Sequence, residues 1–205
     1  QKGIYSVEKF LMARRFMYWQ VYLHKTSIAA DQVLVKILKR ANELIKQGTE
    51  LFASPYLYFF LSHNCSTADL EKSEVLETFC NLDDNDIISA IKVWKKSSDK
   101  VLSTLCTMLI DRNLPKVEIA NNAFTEEFIE KKIMETSKKL SISEADARYF
   151  VISGSMQNSA YSVEGDSLKI GLKNGTLKDL SETSEIYNLS GDQRPQIKYY
   201  ITYLK

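Results

Sequence analysis

One row of side chains near the start of the sequence combines a guanidinium with two phenols. Arg14, Tyr18 and Tyr22 are four residues apart, within a stretch whose apolar residues recur at helical spacing. Residues four apart lie one above another on a helix, so the three side chains share one face. A planar guanidinium can bind a phosphate through two parallel hydrogen bonds, and a tyrosine can stack on a nucleotide or hydrogen-bond to it.

The same row also has a purely structural interpretation. Arg14 falls inside the apolar stripe, seven residues after Val7, and a buried guanidinium needs a partner. The row contains no Asp or Glu, so the partner would be a carboxylate from another element or a ligand. With a carboxylate partner, Tyr18 and Tyr22 would be core aromatics, since structural ion pairs also occupy such positions. Residue spacing leaves both interpretations open.

The elements that must position this row are helical through the first half of the chain. Only 7 Gly and 3 Pro occur, and 44% of the residues are hydrophobic, which is enough for a core. Ser6 is a candidate N-cap for a first helix that runs to about Lys25, with Glu8 in its first turn. A second helix ends at Gly48. Three further helices are predicted, over residues 67–79, 84–96 and 99–112.

Strand signals replace the helical ones at Asn113-Leu114-Pro115. Residues 117–119 alternate like a strand, Thr125 begins a helix that runs to about Leu140, and Asn174-Gly175 is a strong hairpin signal. Further candidates are strands at 149–152, 160–163, 168–172 and 199–204 and a short helix at 181–187. We predict a mainly α part, residues 1–113, followed by a smaller α+β domain with a mostly antiparallel sheet, residues 114–205.

Charge and composition exclude several classes of protein. With 27 basic and 26 acidic residues the formal charge is +1, which gives no electrostatic basis for binding nucleic acid or membranes. No apolar run is long enough to span a bilayer, and no signal peptide is visible. Three cysteines cannot all pair within one chain and show no zinc-site spacing, so we expect them to be reduced and to serve mostly as packing residues of a cytoplasmic protein.

Two stretches of the sequence resemble a known enzyme family. Residues 5–26, and most specifically the run ARRFMYWQVYLHKT, resemble the segment that follows the catalytic core in HD-domain phosphohydrolases, the dGTPase and dNTP triphosphohydrolase relatives. The run LDDNDIISAIKVW, residues 82–94, resembles the bacterial branch of this family. The resemblance covers residues 1 to about 115 and implies HD-domain-like helices there, with an assembly or regulatory role for the α+β domain.

The resemblance also implies roles for the row. In relatives, the position that matches Arg14 contacts substrate phosphate, and the positions that match Tyr18 and Tyr22 lie near the nucleotide. It implies a dNTP as the partner of the full-length protein, and a homo-oligomer, because relatives often form dimers or tetramers. Leu23 stands where some relatives have a polar substrate contact, so their base and sugar specificity does not transfer.

The metal ligands that give this family its name are missing from the sequence. HD phosphohydrolases hold a divalent metal with a His, a His-Asp pair and a later Asp, and the metal polarises phosphoryl oxygens and activates water. Here the two histidines, His24 and His63, are followed by Lys25 and Asn64. In the family all four ligands precede the segment that matches Gly3. We therefore expect the metal in a missing N-terminal part, and no catalytic residue, metal or cofactor in this chain.

Other charged or titratable residues favour structural roles. His24 is expected to be a helix-end residue with a local hydrogen bond, and His63 a helix-terminal or surface residue. The acidic run at 83–86 lacks the later Gly and Glu of a calcium loop, so we interpret it as helix capping. Four basic residues of the second helix are expected on its solvated face, although a nucleotide-regulated oligomer could use them at an allosteric site: Lys36, Lys39, Arg40 and Lys46.

Two functions remain from the sequence. The chain begins at Gln1 without a Met, and we predict that it is the C-terminal fragment of a metal-dependent dNTP or dGTP phosphohydrolase, inactive alone. The alternative is a non-enzymatic interaction or oligomerisation module, in which the resemblance reflects only ancestry.

Overall fold

The computed structural model describes residues 2–158, 169–171, 175–180 and 196–205 of the 205-residue chain. The helices are α1 (Lys2–Met17), a π-helical turn (Tyr18–Tyr22), α2 (Lys25–Lys46), α3 (Pro55–Ser62), a 3-10 helix (Thr67–Glu71), α4 (Ser73–Cys80), α5 (Asp84–Trp94), α6 (Lys100–Ile110), α7 (Glu126–Leu140) and α8 (Glu144–Ala147). The strands are β1 (Lys116–Ala120), β2 (Ile152–Asn158), β3 (Lys169–Gly171), β4 (Leu177–Asp179) and β5 (Gln196–Tyr203). The predicted order, a helical part followed by an α+β part, is confirmed.

The first helix begins earlier than predicted, and it ends at Met17, where the π-helical turn follows, rather than near Lys25. It begins at Lys2, so Ser6 is not its N-cap. The apolar stripe extends upstream to Ile4, which packs with Val7 against the buried Leu11. Glu8, expected in the first turn, lies beyond it and is fully buried.

Local side-chain chemistry sets where several of the other helices begin. The predicted capping by Asp83 and Thr125 is confirmed, because each carboxylate or hydroxyl accepts hydrogen bonds from backbone N–H groups of the first turn. Gly48, with a φ of 87°, follows α2 as predicted.

The single helix predicted over 67–79 is wrong. Asp69 accepts hydrogen bonds from Ser66 and Lys72, and the chain is extended at Lys72 before α4 begins.

The sheet places the last strand of the chain in its centre. The three-stranded sheet has the order β1-β5-β2, and β3 pairs with β4 in a separate antiparallel ribbon. Ile170 lies opposite Lys178, and Gly175 in the connection has a φ of 81°. The predicted hairpin is therefore confirmed, although Asn174 lies outside the described residues, as do the elements predicted at 160–163 and 181–187.

Two compact units are interleaved along the chain. They comprise residues 1–28, 118–124 and 153–201 in the first unit, and residues 29–117, 125–152 and 202–205 in the second. Each unit therefore draws on both sides of the predicted boundary between residues 113 and 114. That boundary marks the change from helices to mixed elements, and a division into two domains there stays a prediction.

Apolar residues of the α2 stripe form the centre of the second unit. Val33, Ile37 and Ala41 are buried at helical spacing, and they pack with Trp94 and with apolar residues of α6. Cys106 belongs to the same core, and burial raises the pKa of its thiol to about 12. Cys65 and Cys80 are free and exposed, so only Cys106 has the packing role expected of the cysteines.

A polar network fixes α2 against other parts of the second unit. Arg40 donates from Nε and Nη2 to the two oxygens of Asp99, at 3.2 and 2.6 Å. The guanidinium carbon lies 5.4 Å from the centre of the Tyr149 ring, and the Tyr149 hydroxyl donates to Glu43. Burial and the hydrogen bond to Glu43 raise the pKa of Tyr149 to about 12. Arg40 is thus not on a solvated face, because partners far along the chain cover it.

Gly154 lies under an aromatic ring of the neighbouring strand. A Cβ at this position would lie 2.6 Å from Oη and 2.8 Å from Cζ of Tyr200, closer than atoms normally approach. β2 and β5 are neighbours in the sheet, so the ring of Tyr200 occupies the space that a side chain on β2 would need.

We predict that Asp99→Asn lowers the free energy of unfolding by about 1.5–3 kcal/mol, because Arg40 loses a charged hydrogen-bond partner. Asp99→Ala should cost about 1 kcal/mol more, since it also removes the N-cap of α6. Urea-induced unfolding at neutral pH measures both losses. Asp111→Asn is the control, because the Lys95–Asp111 pair is exposed and its removal should cost at most about 1 kcal/mol.

The same pair predicts a pH dependence. Burial raises the pKa of Asp99, but the hydrogen bonds from Arg40 and from the Leu102 N–H outweigh it, and the pKa lies below its ordinary value of 3.8. The contribution of Asp99 to stability is therefore complete above pH 3.8 and declines as the pH falls further through the folded-state pKa. A stability difference between wild type and Asp99→Asn that shrinks above pH 5 would contradict this assignment.

We predict that Gly154→Ala destabilises the protein by about 1–3 kcal/mol, because the methyl group forces the Tyr200 ring from its position. Thermal unfolding measures the loss. In a Tyr200→Ala background the same substitution should be nearly neutral, and an equal cost in both backgrounds would show that the ring is not responsible.

Candidate functional site

The structure brings the three predicted site residues together. Arg14 is in the last turn of α1, and Tyr18 and Tyr22 are the first and last residues of the π-helical turn that follows. The guanidinium carbon of Arg14 lies 5.5 Å from the centre of the Tyr18 ring. The centres of the Tyr18 and Tyr22 rings are 5.1 Å apart, and their planes are tilted by 60°. The row therefore exists as a continuous cation–aromatic array.

The π-helical turn was not predicted from the sequence. Its defining hydrogen bond runs from the N–H of Leu23 to the carbonyl of Tyr18, five residues back, at 2.7 Å. The hydroxyl of Ser27 donates to the carbonyl of Val21 at 2.9 Å, which satisfies a group at the end of this turn. The apolar spacing of residues 17–22 matches an α-helix equally well. π-helical turns are rare and frequently occur at functional sites.

The row is more exposed than the sequence suggested. Arg14 and Tyr22 are exposed and Tyr18 is half-buried, so the expectation that Arg14 lies on a packed face is wrong. Within the described ranges no Asp or Glu forms an ion pair with Arg14. Its guanidinium N–H donors are thus available to an acceptor outside the described residues.

A second cation lies beside the π-helical turn. Lys198, on β5, places its Nζ 4.6 Å from the centre of the Trp19 ring. Trp19 directly follows Tyr18, so cations contact aromatic rings at two consecutive residues of the turn. Sequence reasoning missed Lys198, because 179 residues separate it from Trp19 and only the sheet brings it near.

Several large apolar side chains of α1 and its π-helical turn are exposed. Phe10 is 66% exposed and Phe16 is 53% exposed. Met17 and Val21 are also exposed. Contiguous exposed apolar surface commonly marks a ligand or protein interface.

Both histidines have the local roles expected of them. His24 is exposed, and its Nδ1 accepts a hydrogen bond from the backbone N–H of Thr26 at 3.3 Å. His63 is the C-cap of α3, and its ring stacks on that of Phe59, with centres 4.7 Å apart.

Neither a metal-ligand cluster nor a membrane helix occurs in the described part of the chain. There, no three His, Cys, Asp or Glu residues lie close enough together to hold a metal ion. No described helix combines the length and the apolar character needed to cross a bilayer.

Comparisons with known proteins relate the chain to part of larger proteins. No family model matches it. It is 30% identical over 209 residues to the uncharacterized protein YwfO of Bacillus subtilis, with 98% of this chain and 45% of YwfO covered. Its structure matches the crystal structure of a phosphohydrolase from Bacteroides thetaiotaomicron with a TM-score of 0.88 and 45% identity, covering 100% of this chain and 51% of that one. The chain therefore spans about half the length of these relatives, and over its whole length it is similar to part of a phosphohydrolase.

Proposed function

We propose that this chain is the C-terminal part of an HD-family, metal-dependent nucleotide phosphohydrolase whose substrate is a dNTP, with dGTP as a candidate. The observation that carries the proposal is the Arg14–Tyr18–Tyr22 array on α1. Similarity to a phosphohydrolase over the whole chain supports it. In this proposal the chain supplies a substrate-contacting helix and a domain for assembly or regulation.

Arg14 is suited to a phosphate group by its charge and exposure. A guanidinium binds two phosphate oxygens at once, and such charge-assisted hydrogen bonds are stronger than neutral ones. The Tyr18 ring, 5.5 Å from the guanidinium carbon, limits the directions that Arg14 can take. Because no described carboxylate pairs with Arg14, a phosphate would not have to displace an internal partner.

Tyr22 is suited to the base or sugar of the nucleotide. It is 56% exposed and tilted by 60° from Tyr18, so part of its ring and its hydroxyl are free to contact a ligand. An aromatic ring stacks on any base, which makes this contact tolerant of base identity. The proposal therefore assigns phosphate binding to Arg14 and nucleotide packing to the tyrosines.

The metal of this family does not fit the described residues of this chain. Those residues include no group of three metal-ligating side chains. We therefore assign no step of the reaction to this chain, and place the metal in the part of the parent protein that corresponds to the rest of its relatives' length.

A non-enzymatic interaction module is the second candidate. The exposed aromatic side chains of α1, Phe10 and Phe16 above all, favour it, because such a surface fits another protein chain as well as a nucleotide. It predicts that α1 substitutions change assembly and leave nucleotide binding unaltered. A homo-oligomer of the parent protein is compatible with both candidates.

We predict that Arg14→Ala in the full-length protein weakens dNTP binding by about 1.5–3 kcal/mol, because one charge-assisted phosphate contact is lost. Calorimetric titration with a non-hydrolysable dNTP analogue measures the effect. Arg15→Ala is the matched control, since it removes the same charge one residue along, on a different face of α1. Equal dNTP affinity of wild type and Arg14→Ala would show that Arg14 does not bind the phosphate and has a structural role. Equal losses of affinity in Arg14→Ala and Arg15→Ala would show that only the overall positive charge of this region matters.

We predict that the 205-residue chain alone releases neither phosphate nor tripolyphosphate from dNTPs, with Mg²⁺ or Mn²⁺ present, because the family's metal ligands are missing. The full-length protein assayed in parallel is the positive control. Metal-dependent turnover by the chain alone, sensitive to a chelator, would contradict the proposal.

A further inference from the structure

A cavity of about 570 Å³ lies in the second compact unit, between the segment after α2 and the end of α5. We propose that it binds a small organic phosphate with an aromatic ring. The residues that line it include the apolar Phe52 and Val93 and the basic Lys92 and Lys96. Its volume is in the range of small-molecule sites, roughly 300–1,000 Å³. No residue of the Arg14 array lines it.

Trp94 holds the two sides of the cavity in place. The side chain is 1% exposed and belongs to the core of the unit. Its indole Nε1–H donates to the backbone carbonyl of Phe52 at 2.9 Å, which joins the end of α5 to the segment after α2. A further bond, from the N–H of Thr49 to the carbonyl of Leu44 at 2.9 Å, fixes where that segment leaves α2. The cavity is therefore formed before any ligand arrives, which lowers the cost of binding.

The apolar part of the wall is exposed to solvent. Phe52 is 54% exposed and Val93 is 49% exposed, although both lie beside a concave surface. A flat aromatic ring that enters the cavity would remove these side chains from water, at about 25 cal/mol for each Å² of apolar surface buried. This part of the cavity favours a ligand with an aromatic body.

The charged part of the wall favours an anion. Lys92 and Lys96 are both exposed, and no described carboxylate pairs with either of them. Lys95 between them differs, because its Nζ forms an ion pair with Asp111 at 2.6 Å. Lysines near the end of α5 also interact favourably with the helix dipole. The dipole alone, however, does not explain why two of them line a cavity. Because both lysines line the same cavity, a doubly charged phosphate within it would be attracted by both of their charges.

Hydroxyl groups complete the polar side of the cavity. Ser97 and Ser98 line it beside Lys96. The Ser97 hydroxyl oxygen accepts a hydrogen bond from the N–H of Asp99 at 3.2 Å, so its own proton is available for a phosphate oxygen. Glu50 is the acidic residue of the lining, so the balance of formal charge around the cavity remains positive.

Calorimetric titration of 1-naphthyl phosphate into the protein tests the proposal, because the naphthyl ring absorbs and emits in the same range as tryptophan and would obscure Trp94 fluorescence. We expect a saturable heat change with a Kd below about 1 mM, and binding of neutral 1-naphthol weaker by about tenfold or more. Lys92→Gln combined with Lys96→Gln should weaken phosphate binding by about tenfold or more, because two charged contacts are lost.

Lys95→Gln is the matched control and should leave the affinity within about twofold of the parent, since Lys95 already has an exposed partner. Circular dichroism of each variant checks that the fold is retained. The proposal is overturned by a lack of saturable change up to about 5 mM ligand, by equal affinity for naphthol, or by equal effects of the Lys95 and the Lys92/Lys96 substitutions. None of these outcomes depends on Arg14, so the test is separate from that of the proposed function.

Discussion

The second unit depends on the carboxylate of Asp99, which both caps α6 and forms an ion pair with Arg40. It accepts the Leu102 N–H and so begins α6, and it binds the Arg40 guanidinium and so fixes α6 to α2. The hydrogen bond to Asp99 raises the pKa of Arg40, so this contact favours the charged form of the guanidinium. Arg40 also lies over Tyr149, so the segment after α8 is fixed to the same point. A polar contact between α2 and α6 thereby fixes the geometry around the apolar core.

Sequence reasoning succeeded where the cause of a structure is local. Asp83 and Thr125 begin helices because their own side chains bond to the next turn, and Gly48 follows α2 because it adopts a positive φ. It failed where the backbone leaves the helical conformation within a periodic stretch. The chain is extended at Lys72, between the 3-10 helix and α4, and nothing in the apolar spacing of residues 67–79 indicates this break.

The candidate site divides in the same way. The Arg14, Tyr18 and Tyr22 row was predictable, because helical spacing alone aligns residues four apart. The π-helical turn was not predictable, since it depends on the Leu23 N–H bonding to the carbonyl five residues back instead of four. The Lys198–Trp19 contact was not predictable either, since it depends on where strand pairing places β5. Exposure of Arg14 also could not be read from the sequence, because an apolar stripe is buried only where another element covers it. The side chains of the row and their alignment could therefore be predicted from the sequence, whereas their exposure and neighbouring residues could not.

The central position of β5 has a consequence for how the protein is made. β1 and β2 are not neighbours in the sheet. Both pair with β5, which follows them in the sequence. While the polypeptide is being synthesised, the helices can pack, but the edges of β1 and β2 that face β5 remain unpaired until β5 has left the ribosome. During that interval they are open edges that can pair with another nascent chain. The synthesis of β5 thus determines when the sheet forms as well as how it is arranged.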